Sequence, residues 1–122
     1  MLYSILIYAP EDKVDAMTPA EDQAHMAQHL RLHEKLVAQN RLGPAVRLMP
    51  TGTAVQVRSE GQPLVTDGPF AETKEQLLGF YIVDCETLEA AVEIARSLPS
   101  IDSVFEVRPV KQYFPDRIRK QE

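Results

Sequence analysis

Residues 2–9 and 77–84 are apolar at both sets of alternating positions. In the first segment one set consists of Leu2, Leu6 and Tyr8, and the other of Tyr3, Ile5 and Ile7. A strand that faces solvent on one side alternates apolar and polar residues, whereas a strand covered on both faces does not. The pattern therefore predicts two central strands whose faces are both covered.

The segment that follows the first strand has the pattern of a long amphipathic helix. Thr18-Pro19-Ala20-Glu21 places a hydroxyl at the N-cap, proline at N1 and glutamate at N3, which is a capping box. The helix is predicted to run to about Asn40, with Gly43-Pro44 ending it. Its apolar stripe, at spacings of three and four, is predicted to be Met26, Leu30, His33, Leu36 and Val37.

The second half of the chain reads as short strands and one further helix. The predicted strands are 45–49, 53–58, 63–66, 77–84 and 104–110. Pro109 lacks an N–H group for a ladder, so the last strand is predicted at a sheet edge. Asp84 is the predicted cap of the second helix, whose apolar face is Leu88, Ala91, Val92, Ala95 and Leu98.

This order of elements predicts an α+β fold, a ferredoxin-like sandwich with an extra β-hairpin. Both helices of such a unit cover the same face of the sheet. The two central strands are apolar on both faces, and no helix remains for the second face. The pattern therefore predicts a homodimer that packs through this sheet face.

Composition limits the class of protein further. The 122 residues fit one domain, predicted over 1–114 with a C-terminal tail at 115–122. A net charge of −5 argues against a nucleic-acid partner, which needs a basic face. No run reaches the ~18 apolar residues of a membrane span, and the short apolar N-terminus lacks a basic leader. A soluble, cytoplasmic protein without a membrane partner is expected, and the single cysteine, Cys85, is expected to be buried.

Three histidines, His25, His29 and His33, recur at four-residue spacing on the first predicted helix. That spacing suits a metal pair, but no third ligand accompanies it and the zinc-protease pattern is absent, so no metal is predicted. His33 lies within the predicted apolar stripe and reads as a hydrogen-bonded core or interface histidine. His29 lies at the edge of the stripe, where a ring can pack on one side and exchange protons with a cleft on the other.

The other candidate is the charged loop 66-TDGPFAETKEQLLGF-80. Asp67-Gly68 is a tight-turn pair, Pro69 restricts Gly68, and Phe70 offers an apolar anchor. The turn fixes the Asp67 carboxylate either against nearby backbone N–H groups or towards a cleft. Lys74 and its acidic neighbours also fit a solvated turn, and the residues alone favour that interpretation over a functional site.

Residues 67-DGPFAETKEQLLGFYIVDC-85 resemble the signature of the DGPF-motif subgroup of YCII-related proteins. The segments 3-YSILIYA-9, 52-GTAVQVRSEGQPLVT-66 and 104-VFEVRPV-110 fit the same family, so the resemblance covers roughly residues 1–114. It implies a dimeric ferredoxin-like fold with a mostly unassigned function. Some YCII-like proteins act on small aromatic or halogenated ring compounds, and others are partners encoded beside extracytoplasmic-function sigma factors.

The resemblance also implies a site built on a histidine of the first helix and an aspartate. His29 is the position that best resembles that histidine. Asn40 stands where some members carry an acid, and an amide is not a general base, so Asp67 is the predicted acid.

The combined prediction is a cleft between the first helix and the DGPF loop that binds a small anionic or aromatic molecule. His29 would act as acid/base with Asp67, and Phe70, Lys74 and His33 would contact the ligand, without a cofactor. The alternative is a non-enzymatic regulatory or interaction module with a protein partner, such as a sigma factor. Its mark would be an exposed apolar or acidic patch away from the cleft.

Overall fold

The computed structural model describes residues 1–60, 64–67 and 75–115, with 64–67 described by their backbone alone. The helices are α1 (Glu11–Asp15), α2 (Pro19–Ala38) and α3 (Leu88–Arg96). The strands are β1 (Leu2–Ala9), β2 (Leu42–Arg47), β3 (Val55–Arg58), β4 (Leu64–Asp67), β5 (Gln76–Asp84) and β6 (Val104–Pro109).

Four strands form one antiparallel sheet in the order β2-β5-β1-β6. The two strands predicted to be central, β1 and β5, occupy the middle of this sheet. β6 is an edge strand, as the proline at its end predicts. β3 and β4 pair antiparallel as a separate two-stranded ribbon, which is the predicted extra hairpin. This architecture is α+β and consistent with a ferredoxin-like fold.

The predicted capping box starts α2. The Glu21 amide donates to Thr18 Oγ1 at 3.1 Å, and the Thr18 amide donates to Glu21 Oε1 at 3.0 Å. The helix ends at Ala38, and Asn40 follows with φ 55°. The amides of Asn40 and Arg41 bond back to the carbonyls of Val37 and Leu36, the pattern of a Schellman motif.

Two predicted boundaries were wrong. Gly43-Pro44 does not end α2 but lies inside β2, where the register with β5 shifts between Leu42 and Ala45. A bulge tolerates a proline because it already lacks a ladder bond. The cap of α3 is Thr87, whose hydroxyl accepts from the Ala90 amide at 3.1 Å, and Asp84 instead binds the Met1 ammonium at 3.0 Å.

The predicted apolar stripe of α2 was also wrong in part. Leu30 and Val37 are 55% and 59% exposed, whereas Leu32 and Leu36 are buried against the sheet. The helix is therefore rotated relative to the prediction, and it turns its histidines towards the strands.

Both long helices cover one face of the sheet, as predicted. The core is formed by Tyr3, Ile5, Tyr81 and Val83 of the strands with Leu32, Leu36, Ala91, Ile94, Ala95 and Leu98 of the helical layer. The opposite sheet face carries Leu6, Phe80 and Ile82, which are partly exposed. Cys85 is a free thiol buried at the end of β5, as expected.

Gly79 permits the close approach of the edge strand β2 to β5. A Cβ built there would lie 2.1 Å from the Val46 carbonyl oxygen. That contact is far inside van der Waals distance with a backbone atom, so β2 would have to move.

We therefore expect Gly79→Ala to destabilise the protein by about 1–3 kcal/mol, the usual cost of overpacking a well-packed site. Gly52→Ala is the matched control, because a Cβ at Gly52 meets nothing within 4 Å. Urea unfolding of both variants measures the difference. Equal stability of the two variants would contradict the requirement for glycine at position 79.

Candidate functional site

The candidate site is organised around Tyr81, at the middle of the central strand β5. The side chain points to the helix-covered face and is 3% exposed. A buried phenol needs a hydrogen-bond partner, because an unpaired buried hydroxyl costs free energy. Among the described residues, the partners of the Tyr81 hydroxyl come from α2.

Two histidine rings of α2 meet the Tyr81 hydroxyl. His29 Nδ1 lies 2.7 Å from the oxygen, and His33 Nε2 lies 2.6 Å from it. On the other side of His29, its Nε2 lies 3.3 Å from His25 Nε2. The four-residue spacing of the histidines stacks their rings along one side of the helix. The result is a continuous row, His25–His29–Tyr81–His33, which we call the histidine–tyrosine array.

The environment keeps the array neutral near pH 7. Burial, followed by the neighbouring His25, His33 and Arg47 charges, lowers the pKa of His29 to about 4. Burial also lowers the pKa values of His25 and His33 and raises the pKa of Tyr81 to about 12. Each ring then carries one N–H donor and one bare nitrogen acceptor.

An ion pair stands at the His25 end of the array. Arg47 Nη2 donates to Asp22 Oδ1 at 2.7 Å, and Nη1 lies 3.5 Å from Oδ2. Asp22 precedes His25 by three residues, so both side chains lie on one side of α2. The guanidinium holds the pKa of Asp22 below its usual value, and its positive charge contributes to the low pKa of His25.

The site opens between α2 and the edge strand β2. Ala45 pairs with Tyr81 and shares its sheet face, yet Ala45 is exposed while Tyr81 is buried. Gly79, the partner of Arg47, has no side chain on this face. These two small residues leave the helix-facing side of β2 uncovered beside the array, with the half-exposed Arg47 at its rim.

The structure brings together two of the five predicted site residues, His29 and His33, through Tyr81. The backbone of Asp67 ends β4, and its side chain lies outside the described part of the chain, as do Phe70 and Lys74. Their predicted roles stay predictions.

Sequence reasoning missed His25, Tyr81 and Arg47 as members of the site. His25 belonged to the recognised four-residue series, which was a usable signal. A tyrosine within an apolar strand reads as core, and Arg47 within a short strand reads as solvated. Neither carries a signal before the pairing of β2 with β5 is known.

Within the described side chains, no group of three or more histidines, cysteines or acids is placed to hold a metal ion. As for membranes, none of the helices in the described ranges combines the length and apolarity that crossing a bilayer requires.

Two comparisons place the chain among known proteins. The family model for the YCII-related domain matches residues 1–113. An uncharacterized protein of Rhizobium meliloti (strain 1021) is 45% identical over 123 residues, which is 97% of this chain and 98% of that protein.

The depressed pKa of His29 makes stability depend on pH in a definite direction. The unfolded ring binds a proton near pH 6.5, and the folded ring does so only at about 4. The stabilisation is thus present above pH 6.5 and is lost as the pH falls towards 4. Between pH 7.5 and pH 4 the free energy of unfolding should therefore fall less in His29→Gln than in wild type. We expect the difference to be on the order of 1–2 kcal/mol, after allowance for the ring's partial exposure.

Urea unfolding of wild type and His29→Gln between pH 4 and 7.5 measures the effect. Carboxylates such as Glu21 and Asp22 also have lowered pKa values in the folded state. Their contribution to the pH dependence of stability is the same in both proteins, so it cancels in the difference. Parallel stability curves for the two proteins would show that His29 is not held neutral by the fold.

Proposed function

This chain belongs to the YCII-related domain family, and we propose that it binds a small organic molecule beside the histidine–tyrosine array. The molecule would lie in the opening between α2 and β2 and be anionic or aromatic. We further propose cofactor-free acid/base chemistry on it, with His29 as the group that sets proton affinity. The single observation that carries the proposal is the half-buried, neutral row of imidazoles beside an uncovered strand.

The charge at the rim favours an anionic ligand. Arg47 uses two of its five N–H donors on Asp22, and the rest of its fork is free to meet a carboxylate. We propose that an aromatic ring of the ligand packs against His25 and His29, whose own ring centroids lie 4.9 Å apart at an angle of 71°. A neutral imidazole can accept a proton from such a ligand without first losing one.

Residues of the DGPF segment complete the proposal. β5 begins at Gln76, so residues 67–74 lead directly into the strand that carries Gly79 and Tyr81. The predicted role of Asp67 was to orient His29 and stabilise its charged form. Both ring nitrogens of His29 are engaged by Tyr81 and His25, so we propose that Asp67 stabilises the charged form through its negative charge, and that Phe70 and Lys74 contact the ligand along with His33. Membership of the DGPF-motif subgroup and a cytoplasmic location belong to the same proposal.

We also propose that the protein is a homodimer through the sheet face opposite the helices. Leu6 and Phe80 lie opposite each other at the centre of that face, with Val46 beside Phe80 on β2. A second copy of the chain packed on this face would remove these apolar side chains from water, which stabilises the dimer.

The alternative function is a non-enzymatic regulatory or interaction module, for instance a partner of an extracytoplasmic-function sigma factor. The observation in its favour is a set of exposed apolar side chains between the end of β2 and β3. These are Leu48, Met49, Val55 and Val57. A protein partner could cover them without using the array.

To test ligand binding, the shifts of the histidine rings are followed by NMR while a panel of small aromatic carboxylates, each with its uncharged amide, is added. We expect binding of carboxylates and not of amides, and at least a tenfold loss of affinity in Arg47→Gln, since a charge-assisted bond contributes about 1.5–3 kcal/mol. Arg96→Gln is the matched control, because Arg96 is an exposed arginine with its own carboxylate, Glu93, at 3.4 Å.

For any carboxylate that binds, exchange of its acidic C–H protons with solvent is compared in wild type, His29→Gln and Asp67→Asn. We expect binding in both variants with exchange lost in the first and slowed in the second. Exchange at the wild-type rate in His29→Gln would remove the acid/base proposal, and equal binding of acids and amides would remove the anionic ligand.

Sedimentation tests the assembly and the alternative together. The purified chain is expected to sediment as a dimer of the 13.7 kDa chain at micromolar concentration. A compact monomer would refute the homodimer. Recovery of the tagged chain from extract with a stoichiometric second protein, lost in Val55→Lys, would favour the interaction module instead.

A further inference from the structure

Tyr81 has a single proton to share between two histidines, and this constrains the whole array. Its hydroxyl can donate to His29 or to His33, but not to both at once. The ring that does not receive this proton must donate its own N–H to the tyrosine oxygen. Since all three histidines are neutral, the choice at Tyr81 fixes which nitrogen of every ring carries hydrogen.

In the first arrangement Tyr81 donates to His29 Nδ1, so His29 carries its hydrogen on Nε2 and donates it to His25 Nε2. His25 then carries hydrogen on Nδ1, and His33 donates its Nε2–H to Tyr81. In the second arrangement every one of these bonds is reversed. Tyr81 donates to His33, His29 donates through Nδ1, and His25 donates through Nε2.

The two arrangements differ by the passage of one proton along the array. A proton taken up at His33 Nδ1 releases the Nε2 proton of His33 to the Tyr81 oxygen, and the Tyr81 proton moves to His29 Nδ1. The Nε2 proton of His29 then moves to His25 Nε2, and His25 releases its Nδ1 proton. One proton enters, one leaves, and no ring or phenol is left charged.

We propose that the histidine–tyrosine array is a two-ended proton relay, with Tyr81 as its central switch and His25 as the terminus that meets the ligand. Both nitrogens of His29 are engaged inside the array, so a ligand exchanges protons with it through His25. Arg47 and Asp22 flank that terminus, where an anionic group would be held. This proposal rests on the proposed function in one respect: the small molecule bound there is the ligand that exchanges protons with the relay.

Both arrangements contain the same three hydrogen bonds, of 2.6, 2.7 and 3.3 Å. The His25–His29 link is the longest and therefore the weakest of them. With equal numbers of bonds, neither arrangement is locked by an unpaired buried group. A relay needs this balance, whereas a purely structural array would be held in one arrangement.

The test reads the position of the hydrogen on each ring from long-range proton–nitrogen NMR correlations of protein with labelled histidine at pH 7. The relay predicts that His29 and His33 share one tautomer while His25 has the opposite one, and that the same fraction of each arrangement is populated at all three rings. A single tautomer at every ring, or populations that differ between rings, would overturn the relay.

The variant His33→Leu tests whether a change at one end of the array alters the tautomer of His25 at the other end. It leaves Tyr81 with one partner, and an unpaired buried O–H donor is costly, so Tyr81 must donate to His29. We expect the variant to shift His25 wholly to the Nδ1–H tautomer. In the background of Tyr81→Phe, the change at His33 should no longer affect His25, and a persisting effect would overturn the role of Tyr81.

Tyr3→Phe is the matched control for Tyr81→Phe, because Tyr3 is a buried tyrosine on the same sheet face and outside the array. It should leave all three tautomers unchanged. Thermal unfolding confirms that each variant is folded before its tautomers are compared. These readouts need no ligand, so they separate the two proposals. Coupled tautomers without ligand binding would reject the proposed function and keep the relay. Ligand binding with uncoupled tautomers would reject the relay and keep the proposed function.

Discussion

The buried hydroxyl of Tyr81 is the constraint on which the rest of this site depends. A phenol at the centre of an antiparallel sheet must find its hydrogen-bond partners in the layer that covers it. Two helices, α2 and α3, cover this face, and among the described residues the partners of the hydroxyl are His29 and His33 of α2. The rotation of α2 that brings these rings to Tyr81 also places Leu32 and Leu36 in the core and leaves Leu30 and Val37 exposed to solvent.

The same requirement determines the electrostatics of the site. Rings that must pack against the sheet to reach the hydroxyl lose solvent, and lost solvent disfavours the charged imidazolium. The His29 ring, which lies inside the row, has its pKa lowered to about 4. A histidine that would titrate near neutral pH on an exposed helix is therefore a neutral group here, with one donor and one acceptor to share.

The edge of the sheet gives the array its access to solvent. Gly79 lets β2 approach β5 closely, and Ala45 brings no bulk to the face that Tyr81 occupies. Larger side chains at these two positions would cover the opening or push the strand away. Arg47, at the end of the same short strand, places its guanidinium at the rim in an ion pair with Asp22. Gly79, within the segment 77-LLGF-80, thus affects the site because it determines how closely β2 lies to β5.

The sequence alone determined the elements and their class: two central strands, a capping box at Thr18, a hairpin and an edge strand ending in proline. These follow from local rules, because periodicity, caps and missing N–H groups act over a few residues. It also singled out His29 and His33, since their spacing on one helix is a local property. Only the tertiary structure decided that a strand tyrosine joins them, that His25 extends the row and that Arg47 stands at its end. The distances between α2, β2 and β5 are set by packing between segments far apart in the chain. Two predictions from local patterns failed for that reason. The apolar side of α2 depends on how the helix packs on the distant strands, and Asp84 binds the Met1 ammonium instead of capping α3.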